Sequence, residues 1–197
     1  MLANLRPAAA RLHRSFFSAP SFSPFKTDLQ KYSERKVLPY NAKQLFDVVA
    51  NVSLYPKFIP FCTECRVLSL SNPTVEKGVP YKMEAELTAG FLSFQESYVS
   101  EVTCVPYESV QAVAKSSTPL FTSLSTTWRF QPVASPRIPQ NPSHGGNAET
   151  LVTLDLAYAF SNPIHAAVSS TFFSQVSKQM VNAFENRCAE VYGPRKN

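Results

Sequence analysis

The sequence predicts an α+β domain in which one antiparallel sheet of seven strands packs against one long C-terminal helix. Three observations predict it. Between residues 62 and 160 the chain keeps returning to a two-residue alternation of apolar and polar side chains, the mark of half-buried strands. Most of these runs are joined by hairpin-length connections, which suit antiparallel neighbours and are too short for parallel crossovers. From residue 163 the apolar residues recur instead at spacings of three and four, the stripe of an amphipathic helix. A sheet with one apolar face and a helix with one apolar stripe must bury them against each other.

The elements follow in order. Residues 31–39, "KYSERKVLP", form a first strand that ends at Pro39. Asn41 and Gln44 then make a capping box, and Leu45, Phe46, Val48 and Val49 give the following short helix its apolar side. A second short helix is expected over residues 53–59, stopped by Pro60. "RVLSL" is a strand. "YKMEAELT" sets Tyr81, Met83, Ala85 and Leu87 against Lys82, Glu84, Glu86 and Thr88 without exception. "LSFQESYVSEVTC" puts Phe94, Tyr98 and Val102 on one side, and "SVQAVAK" follows. "SLSTTWRF" aligns Leu124, Trp128 and Phe130, and the last strand aligns Val152, Leu154, Leu156, Tyr158 and Phe160. Together these read as a meander. In the final helix Ile164, Val168, Phe172, Val176, Met180, Phe184, Cys188 and Val191 make the expected stripe, with Gly193 and Pro194 as the stop.

A chain of 197 residues with 44% hydrophobic content supports one sizeable core. The formal charge of +5 is concentrated at the start: Arg6, Arg11, Arg14 and Lys26 all precede the first acid, Asp28, leaving 15 basic and 14 acidic residues over 27–197. That near-neutral body argues against a nucleic-acid groove, so no nucleic-acid partner is expected. Residues 1–26 have the composition of a mitochondrial presequence, with a disordered basic tail as the alternative; cleavage is expected between Phe16 and Pro24. The domain is then assigned to residues 27–193, with 194–197 as a tail. The loop 132–148, carrying Pro132, Pro136, Pro139 and Pro142 before "HGGN", is expected to be a mobile insert. The uncharged span 156–177 holds Asn162, Pro163, His165 and several serines, too polar to cross a bilayer. Four cysteines, in a chain with a matrix address, are expected to be free thiols.

Fifteen phenylalanines and 12% aromatic content can fill the space between sheet and helix as a solid core or line a ligand cavity there. Alternation alone leaves both open. "YPKFIPFC", "ELTAGFLSFQESYVSEV", "LFTSLSTTWRF" and "FFSQVSKQMVNAFENRCAEVYG", in this order, resemble the mitochondrial coenzyme Q-binding proteins of the START-like, or polyketide-cyclase-like, superfamily. The resemblance covers residues 31–193. It implies a helix-grip fold, and a non-catalytic protein that binds ubiquinone, with no catalytic cofactor and no metal. It also implies delivery of the quinone for respiration and efficient quinone biosynthesis, peripherally at the matrix face of the mitochondrial inner membrane. Respiratory or quinone-biosynthesis complexes are its candidate partners.

On that reading the ligand wall is drawn from Phe58, Ile59 and Phe61 at an entrance helix and Leu87, Phe91 and Phe94 on a hairpin. Trp128 and Phe130 on a strand and Phe172, Phe173 and Val176 on the last helix complete it. Each is equally suited to plain core packing. Trp128, the single tryptophan, is the leading candidate because an indole can stack on a quinone ring and donate its N–H. Glu96 falls on the inward side with Phe94 and Tyr98, where a carboxylate either protonates and donates to a quinone carbonyl or finds a cationic or solvent partner. Tyr98 is an alternative neutral donor. A long prenyl tail exceeds a cavity of ordinary size, so Phe91 and Leu92 at the hairpin tip are candidates for membrane contact.

Other chemistries find less support. An enzyme of the cyclase or dehydratase kind, acting on a hydrophobic small molecule, is the main alternative, since fold does not decide function. It lacks an evident second partner for Glu96, Tyr98 or His165. The lone "CTEC" at Cys62–Cys65 leads into a strand rather than opening a helix, which favours structural thiols. The five glycines form no phosphate loop. A ribosome-linked interaction module is a third reading, disfavoured by the neutral body.

Overall fold

The computed structural model describes residues 29–71, 75–91, 94–115, 121–133, 149–161 and 163–194, with the backbone alone at 91, 94, 160 and 163–174. Strand β1 (Gln30–Leu38) leads into helix α1 (Ala42–Ala50) and a 3₁₀ turn (Val52–Lys57). Six strands follow: β2 (Cys62–Leu70), β3 (Tyr81–Phe91), β4 (Phe94–Val105), β5 (Ser109–Ala114), β6 (Phe121–Pro132) and β7 (Thr150–Phe160). Helix α2 (Pro163–Tyr192) closes the domain. The expected leader, Leu92 and most of the insert lie outside the described residues. Pro132, expected in the insert, instead ends β6 opposite Thr150.

The seven strands form one antiparallel sheet in the order β1-β7-β6-β5-β4-β3-β2. Strands β2 to β7 are the expected meander. Strand β1 departs from it: its neighbour is β7, not β2, with Gln30 opposite Tyr158 and Leu38 opposite Thr150. The reason is local. Asn41 accepts from the Gln44 backbone while the Gln44 side chain accepts from the Asn41 N–H, so the capping box starts α1 immediately after β1 and carries the chain off the sheet. The second expected helix is a 3₁₀ turn with Pro56 inside it, and Phe58, Ile59 and Phe61 lie in the irregular stretch beyond rather than on a helix.

One sheet face is polar and laced by cross-strand ion pairs such as Arg66–Glu86 and Lys82–Glu101, at 2.5 and 3.0 Å. Exposed pairs of this kind contribute at most about 1 kcal/mol each. The inner face carries the core: Tyr81, Met83, Ala85, Val102, Cys104, Val110, Trp128, Phe130, Val152 and Leu154 are buried with Leu45, Phe46, Val48 and Val49 of α1. Helix α2 contributes Ser177, Val181, Phe184 and Cys188. This corrects the expected stripe, in which Val191 proves exposed and Val176 and Met180 only half-buried. Successive steps of four advance about 40° each around a helix, so a run of such steps winds off the buried side. The face actually buried steps by four, three and four.

Candidate functional site

The inner face has a filled end and an open end. At the filled end Trp128 stands between Val110 and Leu154 and meets Phe184 of α2 at 4.8 Å between ring centroids. Phe184 also packs edge-on to Tyr55 and Phe58, at 5.4 and 5.3 Å, and Phe46 meets Phe130 at 6.4 Å. The space left beside Trp128, Phe130, Val181 and Cys188 is a cavity of about 20 Å³, room for a water and not for a ring. Trp128, Phe130 and the buried Ile59 thus belong to the packed core, and Phe184 meets the Trp128 indole edge-on.

Beyond that end the inner face opens. Leu87, Glu96, Tyr98, Ala112, Ala114, Leu124 and Thr126 occupy inward register positions, continuing the rows of Met83, Val102 and Trp128, yet all are half-buried. Small side chains explain much of this. Ala85 pairs with Ser100 and Ser100 with Ala114, while Ala112 pairs with Thr126, so the inner face carries small side chains here, of which Ala85 and Ser100 are buried and the others half-buried. A separate apolar cluster of Phe121, Leu156 and Tyr158, joined by Tyr32 and Leu124, flanks the opening on the β1 side. The structure therefore brings Leu87, Glu96 and Tyr98 together on the inner face. Phe58, Phe61 and Val176 are half-buried, and Phe58 also edges an outer recess of about 340 Å³ with Lys57, Asn182 and Asn186. Phe91 and Phe94 pair at the β3–β4 hairpin end, with backbone alone described, as it is for Phe172 and Phe173.

Tyr98 and the thiols of Cys62 and Cys65 are uncharged polar groups at this end, where Glu96 also stands. The Tyr98 ring is half-exposed while its oxygen is enclosed, and burial, with Cys62 and Cys65 nearby, pushes its pKa above the ordinary tyrosine range. Burial likewise raises both thiols to about 11. A register shift between Cys62 and Glu64 inserts one extra residue, so Cys62 falls opposite Ala89 and Cys65 opposite Leu87, on the inward rows of β3. Strict alternation would have sent these two residues to opposite faces, and no sequence signal marks the bulge. Sequence reasoning also passed over Glu34 and Lys36, which join Trp128 around the small cavity; Lys36 holds Glu185 of α2 at 2.5 Å, and Tyr32 donates to Glu34. The alternation of Tyr32, Glu34, Lys36 and Leu38 was the available signal.

An antiparallel sheet closed by a long C-terminal helix, with two short helical segments after the first strand and an inner face only partly covered at one end, defines a START-like helix-grip domain. Residues 38–185 match the family model described as polyketide cyclase / dehydrase and lipid transport, and the chain belongs to that family. It is 39% identical over 165 residues to the mitochondrial coenzyme Q-binding protein COQ10 homolog B of Xenopus laevis, covering 83% of this chain and 59% of that protein's length. It is 30% identical to the ribosome association toxin RatA of Pseudomonas aeruginosa, over 80% of this chain and 94% of the toxin. A START superfamily protein from Mycobacterium smegmatis superposes with a TM-score of 0.63 at 15% identity, covering 82% of this chain and 98% of that one, which speaks to the fold alone.

Proposed function

We propose that this chain binds coenzyme Q in the opening of its inner face and passes it on, without chemical change, to sites of respiration and quinone biosynthesis in mitochondria. The observation that carries the reading is the set of inward residues, Leu87 with Tyr98 and Ala112 with Thr126, that the protein leaves half-covered. The relationship to the Xenopus coenzyme Q-binding protein supplies the ligand class. Burying a few isoprene units at about 0.8 kcal/mol per methylene gives ample affinity. In this reading Leu87, Phe58, Phe61, Phe91, Phe94, Phe172, Phe173 and Val176 wall the tail, with Trp128, Phe130 and Ile59 as the packed floor. Tyr98 offers its neutral hydroxyl to a ring carbonyl, and Glu96 stands beside it. Residues 1–26 direct import, and the domain works peripherally at the matrix face of the inner membrane.

The experiment is to purify the protein from its native membranes, extract it with organic solvent and identify the lipid. A stoichiometric quinone is expected; none at all would overturn the reading. Membrane contact is tested apart from binding: changing Phe91 and Leu92 together to Ser should weaken liposome flotation with the fold retained, and unchanged flotation removes that part of the proposal. The family description also embraces cyclases and dehydrases. Turnover of a hydrophobic substrate by the purified protein would favour that second reading.

A further inference from the structure

Helix α2 buries one hydroxyl that has no hydrogen-bond partner. It is Ser177 Oγ, in a residue 1% exposed. A serine inside a helix commonly returns its hydroxyl to the carbonyl four residues earlier, and a buried one left unbonded is costly. Ser177 does neither the first nor the cheaper thing, which is to face water.

Its place in the fold suggests what it is for. Lys36 of β1 bonds Glu185, and the Tyr40 hydroxyl bonds the Gly193 carbonyl, so β1 and α2 run alongside each other in the same sense. Ser177 lies eight residues back from Glu185, about 12 Å along the helix. Tyr32 lies four residues back from Lys36, about 13 Å along the strand. Tyr32 is in register with Leu156, Leu156 with Thr126, and Thr126 with Ala112. Ser177 is therefore level with the row of Thr126 and Ala112, both half-buried although Leu156, Val102 and Met83 on that row are buried, one step past the filled row of Trp128. A buried, unbonded donor thus stands level with the first inward residues that are only half-covered.

We propose that Ser177 is the polar anchor of the bound lipid, its O–H donating to a carbonyl of the ligand's ring. This rests on the ligand-binding reading above and deepens it: the site selects lipids that carry a hydrogen-bond acceptor on the headgroup over hydrocarbon of the same size. Away from water a single neutral hydrogen bond discriminates well, because the ligand that lacks it leaves the hydroxyl as unsatisfied as before.

The test uses the full chain and Ser177→Ala. Decylubiquinone binding is followed by quenching of Trp128, the single tryptophan, and decylbenzene, which has the tail but no carbonyl, by competition against it. The expected result is a five- to tenfold (roughly) weaker affinity of the variant for decylubiquinone, with decylbenzene unchanged. Its thermal midpoint should be equal or higher, because an unsatisfied polar group has been removed. Equal decylubiquinone affinity in variant and wild type overturns the anchor and leaves the ligand reading standing. Equal losses for both ligands with a lower midpoint also overturn it, since packing then explains the effect. If the wild type binds decylubiquinone no better than decylbenzene, the anchor falls; if it binds neither, the ligand reading falls and the anchor with it.

Discussion

Phe61 is one of two non-glycine residues at positive φ among the described residues, with φ of 66°. Any side chain with a Cβ is disfavoured there by about 1 kcal/mol or more. The conformation is held from outside, since the Gly90 N–H donates to the Phe61 carbonyl at 2.8 Å and ties the start of β2 to the end of β3. Strain kept by its surroundings at the edge of an opening fits a residue retained for its ring. Two variants separate ring from backbone. Phe61→Ala and Phe61→Gly both remove the ring and should weaken quinone binding alike. The glycine variant should be the more stable in urea denaturation by about 1 kcal/mol, because only it is free of the Cβ penalty. Equal stability of the two would show that the backbone is relaxed.

Elements whose cause is short-range were legible in the sequence. Asn41 and Gln44 announced α1 because a capping box involves residues only three apart. The strict alternation of β3 announced both its faces. What escaped was whatever depends on one residue's offset: the bulge that turns Cys62 and Cys65 to the same side, and the true phase of α2, where Ser177 and Val181 rather than Val176 and Met180 are buried. The candidate site suffered most, because the sequence advertises large apolar residues while the opening is made by small ones, Ala112, Ala114 and Thr126. Phe184 was read as one member of a stripe. In the structure it joins α2 to Trp128, Tyr55 and Phe58 at once. Phe184→Ala should therefore cost about 3–5 kcal/mol in chemical denaturation, with a change in Trp128 emission. A loss below about 1 kcal/mol would mean that this junction is not the keystone of the filled end.

Across the molecule the acid–base behaviour has one direction at high pH. Burial raises Cys62, Cys65 and Cys104 to about 11 and Cys188 to about 12, from an ordinary value of 9.0. A raised acid pKa means that the unfolded chain surrenders its thiol protons first, so the folded state loses ground as pH climbs. The stability these thiols contribute is complete below about pH 9 and is lost between 9 and 12. Denaturation midpoints under reducing conditions should fall steadily across that range, and replacing Cys188 with Ala should flatten the slope. A midpoint unchanged from pH 9 to 11 would contradict the burial described here. The pairing of the outermost strands has a different kind of consequence. Gln30 finds Tyr158 only after nearly the whole chain has been made. During synthesis the first strand has no strand to pair with until the last one has been made. Contacts of such long sequence separation are the slow ones to form, so the β1–β7 ladder is expected late in folding, and amide-exchange protection should reach β1 after β3 and β4 in a refolding time course.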